Sequence, residues 1–214
     1  MDCCQCQGIE AKYDQKYVVK KLREYRKKGP KKTTWQLIEA LRAEGFNGMT
    51  LLDIGGGVGD IQHEMLKSGL SHATDCEAST AYLEACRQEA ERLGHSEHID
   101  HIQGNFVELA KDIPPADIVT LDRVICCYDD MAGLINLSAQ KARRFYGIVY
   151  PLDRWWTRLG LLVYYNSRNW LQRNPMRMFV HPPEAVEAVI RSNGLQRQFY
   201  RAMGAWQVVL YARP

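Results

Sequence analysis

The residues best suited to chemistry gather between Leu51 and Asp60, in the run LLDIGGGVGD. An apolar stretch ends in Asp53, turns through Gly55, Gly56, Gly57 and Gly59, and resumes as the polar–apolar pattern IQHEMLKSG. A strand that enters a glycine turn and leaves as a helix presents bare backbone N–H groups at a helix N-terminus, where a polar or anionic ligand is held. The spacing is G-x-G-x-G, with Asp60 where the dinucleotide fingerprint G-x-G-x-x-G requires its last glycine. That departure points away from a nicotinamide cofactor. Glu77, 18 residues past Gly59, stands near the distance expected of an acid that accepts ribose hydroxyls.

Elements that could position these groups follow from periodicity. Residues 9–28 read as a basic amphipathic helix with Val18, Leu22 and Tyr25 on one face, ended by Gly29-Pro30. Thr33 or Thr34 is placed to N-cap a second helix, through about Glu44. Strands are expected at 49–54, His72–Glu77, Ile99–Gln103, Asp117–Cys127 and Phe145–Tyr150, with helices near 58–68, 80–93 and 130–141 between them. Pro182–Asn193 reads as a further helix, and Leu195–Arg201 with Trp206–Ala212 as a closing hairpin. Alternating strands and helices give an α/β, Rossmann-like, seven-stranded and mostly parallel sheet with helices on both faces, its last strand antiparallel.

Bulk properties narrow the class. With 214 residues, 46% apolar and 25% charged, the chain suits one soluble α/β domain. No apolar run approaches the roughly 18 residues of a membrane span, and the N-terminus lacks a secretory layout. Seven cysteines, an odd set, read as reduced thiols of a cytoplasmic protein. Positive charge is segregated. Residues 12–32 carry a local +8 and residues 141–177 a local +7, against +3 for the whole chain. Such segments attract anionic small molecules, acidic lipid or nucleic acid, or are simply solvated helices.

At this point the chain resembles a class I S-adenosylmethionine (SAM)-dependent methyltransferase over residues 35–214, through its glycine turn, Glu77, the segment Gly104-Asn105-Phe106 and the closing hairpin. The resemblance implies that Asp53 and Gly55, Gly56, Gly57 and Gly59 wrap the methionine moiety of SAM. It implies that Glu77, with Ala78 beside it, takes the ribose hydroxyls, that Asn105 and Phe106 flank the adenine, and that Asp122 and Arg123 line the pocket under the sulfonium. Many relatives have Asp where Asn105 stands, which leaves an adenine N6 contact open. The run LDRVICCYDD (121–130), a basic aromatic segment and then FVHPPEAV are similar to the magnesium-protoporphyrin O-methyltransferase branch, which methylates a carboxylate. Residues 1–34 would then form a basic helical arm or lid, and about 151–180 a substrate-cap insertion.

Methyl transfer is an in-line displacement, so the protein must align a nucleophile and exclude water. A carboxylate needs no base; a phenol or ammonium does. His181 is the candidate base, or a residue that packs at its helix start. Tyr128 follows the fourth strand and is placed to orient a substrate. Trp155, Leu159 and Leu162 share a helical face, with Arg154, Arg158 and Arg168 as forked donors to carboxylate or phosphate. The same segment suits an anionic membrane surface, or tryptophans packed on the sheet.

No metal is expected. Cys3, Cys4 and Cys6 lack a second cysteine pair, and His95, His98 and His101 need not share a face. Nucleic acid is not the expected partner either. The N/D-P-P-Y/F motif of amino-methylating DNA enzymes is absent after the fourth strand, and neither Cys126 nor Cys127 follows proline. The expected partner is a small anionic aromatic methyl acceptor on oxygen. N- or S-methylation, or a SAM-binding surface module without turnover, are the alternatives.

Overall fold

The computed structural model describes residues 4–214. Its seven strands are β1 (Thr50–Ile54), β2 (His72–Glu77), β3 (Ile99–Gln103), β4 (Ala116–Asp122), β5 (Ala142–Pro151), β6 (Gln196–Met203) and β7 (Trp206–Ala212). They form one sheet in the order β3-β2-β1-β4-β5-β7-β6. The first five are parallel, and β7 slots antiparallel between β5 and β6. The crossing point at β1/β4, where strand order reverses, is where α/β sheets open a crevice at their carboxyl edge.

Side chains alternate across this sheet between two cores. Leu52, Val119, Leu121, Tyr146, Ile148 and Val209 face one helical layer, containing α7 (Met131–Lys141) and α10 (Pro183–Ser192). Leu51, Ile118, Phe145, Val149, Val208 and Leu210 face the other, with α3 (Lys32–Glu44) and α4 (Asp60–Leu66). Helix α5 (Thr80–Leu93) adds Ala90 to that second core, and Ser79 caps it by accepting from Tyr82 N. The expected class is therefore the observed one, with helices on both faces.

Three local expectations are corrected. Residues 9–28 are not one helix: α1 (Cys4–Lys12) and α2 (Gln15–Lys28) are separated at Tyr13-Asp14. Asp14 N-caps α2 by accepting from Tyr17 N at 2.7 Å, which starts a new helix there. Val18, Leu22 and Tyr25 are buried as one face, against Val58 and Ala85. Neither Thr33 nor Thr34 caps α3; Lys31 occupies that position, and both threonines turn into the site instead. Finally, β4 stops at Asp122 rather than Cys127, because Arg123 adopts φ 63°, and Ile125–Cys127 form a tight helical turn.

Candidate active site

Beyond β1 the chain turns at once. Gly55, Gly57 and Gly59 have φ of 68°, 62° and 79°, left-handed values that strain any residue bearing a Cβ. Gly55 N donates to Cys76 O at 2.8 Å, fixing the loop to the tip of β2. A Cβ at Gly56 would fall 2.3 Å from Gln62 Nε2 and 2.6 Å from Asp75 Oδ1. One at Gly57 would meet only the Tyr82 ring, at 3.8 Å. Gly56 is therefore small because protein lies behind it, whereas Gly57 has a bare face with only the Tyr82 ring near it.

Glu77 ends β2 beside that face. Its Oε2 accepts from Gly57 N at 3.0 Å and its Oε1 from Ser79 N at 2.8 Å. The side chain is buried, and burial lifts its pKa to about 7; Asp75 adds to the rise, while N–H donors from Ser79, Gly57 and Ala78 hold it back. With three N–H donors on about four acceptor sites, the carboxylate keeps room for a hydroxyl. Ala78 itself packs in a small apolar cluster with Ile9, Cys126 and Cys127.

A polar row runs through the sheet beneath the loop. Thr120 pairs with Asp53 in register, Asp53 with Asp75, and Asp75 with His101. Thr120 Oγ1 donates to Asp53 Oδ1 at 2.7 Å, and Gln62 Nε2 to Asp53 Oδ2 at 3.2 Å. His101 Nδ1 lies 3.3 Å from Asp75 Oδ2. Burial raises the Asp53 carboxyl well above the ordinary range, with Asp75 contributing further. Asp53 is thus an internal brace under the loop. His101 joins neither His95 nor His98; its neighbours of metal-ligand type are Asp75 and Cys86, all within 4.8 Å of one another.

On the β4 side, Asp122 and Arg123 meet residues not foreseen in the sequence. Arg123 Nη1 donates to Asp122 Oδ1 at 3.0 Å, and its guanidinium lies 4.9 Å over the Trp206 ring. Thr34 donates to Asp122, and Arg123 donates to Thr33, so α3 clasps the end of β4. Lys31 and Asp60 complete the group. Desolvation of its ammonium and then Arg123 lower the Lys31 pKa although the residue as a whole is exposed, whereas burial and Asp122 lift Asp60 to about 6. The sequence signal for Asp60 was its place at the end of the glycine run. For Lys31 and the threonines there was none, because only the fold brings α3 to β4.

Asn105 caps the one-turn α6 (Phe106–Leu109), its Oδ1 accepting from Val107 N at 3.2 Å. The same oxygen accepts from Tyr128 Oη at 2.6 Å, and Asn105 Nδ2 donates to Glu108 Oε1 at 3.0 Å. Phe106 is 2% exposed and sits in the core. His181 Nε2 lies 3.0 Å from Ile125 O and 2.9 Å from Tyr128 O; only a protonated Nε2 donates to carbonyls, which leaves Nδ1 the acceptor nitrogen. His181 thereby holds the same loop that carries Tyr128.

The segment after β5 forms α8 (Trp155–Gly160), a π-helical turn (Leu161–Asn166) and α9 (Ser167–Leu171). Trp155 is 76% exposed, so it does not pack on the sheet. The Leu162 side chain and Cys3 lie outside the described residues, as does the Cys4 side chain. Arg158 Nη2 bonds Asp153 Oδ2 at 2.7 Å. Arg154 instead borders a cavity of about 280 Å³ among β5, β6, β7 and α10, whose walls include Tyr150, Glu187 and Tyr200 but none of the glycine loop.

Comparison with known proteins agrees with this fold. Residues 7–143 match the O-methyltransferase domain family. No curated protein sequence matches significantly. Magnesium protoporphyrin IX methyltransferase from Synechocystis PCC 6803, solved with bound S-adenosylhomocysteine, superposes with a TM-score of 0.69 at 17% identity, covering 85% of this chain and 82% of that one. An O-methyltransferase family protein from Burkholderia thailandensis gives 0.69 at 15% identity, over 93% of this chain and 58% of its own. An O-methyltransferase family 2 protein from Planctomyces limnophilus, complexed with apigenin, gives 0.65 at 16%, over 85% and 57%. At such identities these likenesses concern the fold, while the family match spans well over half of the sequence. The chain belongs to the O-methyltransferase domain family, among the SAM-dependent methyltransferases.

Proposed function

We propose that this chain transfers a methyl group from SAM to an oxygen, carboxylate or hydroxyl, of a small, flat, apolar and anionic acceptor. One observation carries the cofactor side of this reading: a carboxylate fixed by Gly57 and Ser79 N–H at the tip of β2, next to a left-handed glycine with a bare face. The residues fit SAM in their donor chemistry. Glu77 and Ala78 take the ribose, Asn105 and the backbone of Phe106, whose ring is packed in the core, border the adenine, and the loop from Gly55 to Gly59, braced by Asp53, follows the methionine portion. Asp60 and Asp122 offer carboxylates to its ammonium, and Lys31 and Arg123 offer cations to its carboxylate.

SAM bound there supplies an electrophilic methyl group on a sulfonium. The chain's own work is then to hold the acceptor in line and dry. Tyr128, on the loop after β4, and His181, which precedes α10 and bonds to that loop, face that task together. A carboxylate acceptor needs only orientation, for which Tyr128 is the placed residue; Arg158 is tied to Asp153, Trp155 is 76% exposed and Arg154 borders a cavity that the glycine loop does not line. A hydroxyl acceptor gives its proton to His181 Nδ1. The arm of residues 1–34 acts as the lid. In support, Gln5 Nε2 donates to Cys127 O at 2.6 Å and to Arg177 O at 3.0 Å, bridging α1 to the loop and cap region.

The decisive experiment uses methyl-labelled SAM with a panel of aromatic carboxylic acids and phenols. The expected result is organic-extractable label, released by mild alkali as methanol when the product is an ester and retained when it is an ether. SAM binding without label transfer to any oxygen would overturn the reading. His181→Ala should lower turnover of a phenol by about 10²-fold or more, and of a carboxylate only slightly.

A further inference from the structure

The cap formed by α8, the π-helical turn and α9 turns most of its large apolar side chains outward. Leu161 is buried, but the other inward side chains include polar Thr157 and Asn169: Asn169 is 1% exposed, donates to Met176 O at 3.0 Å and accepts from Lys12 Nζ at 2.8 Å. Asn166 likewise exchanges hydrogen bonds with Met178, donating to its O at 3.0 Å and accepting from its N at 2.8 Å. Its outward side chains are Trp155, Leu159, Val163, Tyr164, Trp170 and Leu171, all more than half exposed. So many large apolar side chains exposed on one short segment run against what the hydrophobic effect selects and mark an interaction surface.

Charge says what kind of surface it meets. Across residues 141–177 the only acid is Asp153, which is occupied by Arg158, while Arg154, Arg168 and Arg173 are exposed among the aromatics. Helix α1 is joined to the cap through Lys12 and Asn169, and α2, which follows it, adds exposed Lys16, Lys20 and Arg23. A second copy of the chain would meet this face isologously and set those arginines against their own equivalents, with no acid to answer them. An anionic bilayer answers both features, since tryptophan, tyrosine and leucine enter the headgroup boundary while arginines take lipid phosphates.

We infer that residues 155–171 dock this protein on anionic lipid bilayers. The docking does not depend on the proposed methyl transfer, and SAM titration reads that separately. Each exposed arginine at such a surface contributes about fivefold in affinity.

The test is sedimentation with phosphatidylcholine vesicles, with and without phosphatidylglycerol, alongside tryptophan fluorescence. The intact chain should bind the anionic vesicles at least tenfold more tightly than the neutral ones, with a blue-shifted emission and a steep loss in salt. The variant Trp170→Ser with Leu171→Ser, and the variant Arg168→Gln with Arg173→Gln, should each lose binding by about tenfold or more while SAM affinity stays unchanged. These positions are exposed, so folding is not at stake. Absence of binding to anionic vesicles, equal binding to neutral ones, or binding indifferent to both variants would overturn the inference. So would a dimer that the Trp170→Ser, Leu171→Ser variant dissolves.

Discussion

The Tyr128 hydroxyl donates to Asn105 Oδ1 at 2.6 Å, tying the loop after β4 to the loop after β3. In Tyr128→Phe that tie is gone, and Asn105 Oδ1 keeps Val107 N. SAM affinity should fall by about threefold to tenfold, the worth of one neutral hydrogen bond. Asn105→Asp should cost more, because it sets a carboxylate against Glu108 Oε1, now 3.0 Å from Asn105 Nδ2. Titration calorimetry of the two variants checks the order; an Asp variant that binds as well as wild type contradicts it.

Glu77 makes cofactor affinity depend on pH. With a folded-state pKa of about 7 against an ordinary 4.5, the free protein keeps this proton where the unfolded chain has released it. Its contribution to folding is present below 4.5 and lost as pH rises through about 7. The melting temperature of Glu77→Gln relative to wild type should therefore climb between about pH 5 and pH 8 without cofactor. SAM affinity moves the other way in wild type, strengthening as the carboxylate ionises, and stays flat and weaker by about 1–3 kcal/mol in the Gln variant. A wild-type affinity that ignores pH across this window refutes the ribose assignment.

Two adjacent glycines should fail for different reasons. Gly56→Ala forces its methyl into Gln62 Nε2 and Asp75 Oδ1, breaking the packing beneath the loop. Gly57→Ala has room but sits at φ 62°, which costs about 1–2 kcal/mol. Thermal unfolding should show a larger loss for Gly56→Ala, whereas both lose SAM binding. Equal melting temperatures would contradict this division.

Helix α2 is pinned to α5 by Arg26 Nε on Glu89 Oε2 at 2.7 Å, with Arg92 Nη2 on Oε1 at 2.6 Å. Burial pushes the Glu89 pKa up, but the two guanidinium groups outweigh it and hold it below the ordinary range. Arg26→Ala leaves Arg92 in place, so the expected cost is about 1–2 kcal/mol in urea unfolding. Hydrogen exchange should quicken in α2 before α5, marking the arm as the first element to open. Unchanged exchange in α2 would contradict a separable arm.

Much of the fold was legible because its signals are local. His72–Glu77 and Ile99–Gln103 have the bounds that alternation and flanking turns suggest, and the glycine run announces its turn by composition alone. What stayed hidden needed register or distance. Nothing in the sequence aligns Asp75 with His101 until β2 and β3 pair. Asp117–Cys127 reads as one apolar strand because Arg123, whose positive φ ends β4, belongs to no residue type that advertises that conformation. Thr33 and Thr34 look like caps since threonine favours that place, yet the carboxylate and guanidinium at the end of β4 claim their hydroxyls.

The polar ladder under the glycine loop also constrains how this lineage can change. Removing the imidazole of His101 alone leaves a buried carboxylate at Asp75 without its neighbour, and neutralising Asp75 alone leaves the imidazole facing nothing charged. Single steps are therefore deleterious where a paired replacement by apolar residues is tolerable. Descendants of this chain should exchange these two positions together, a form of epistasis written into the alignment of neighbouring strands.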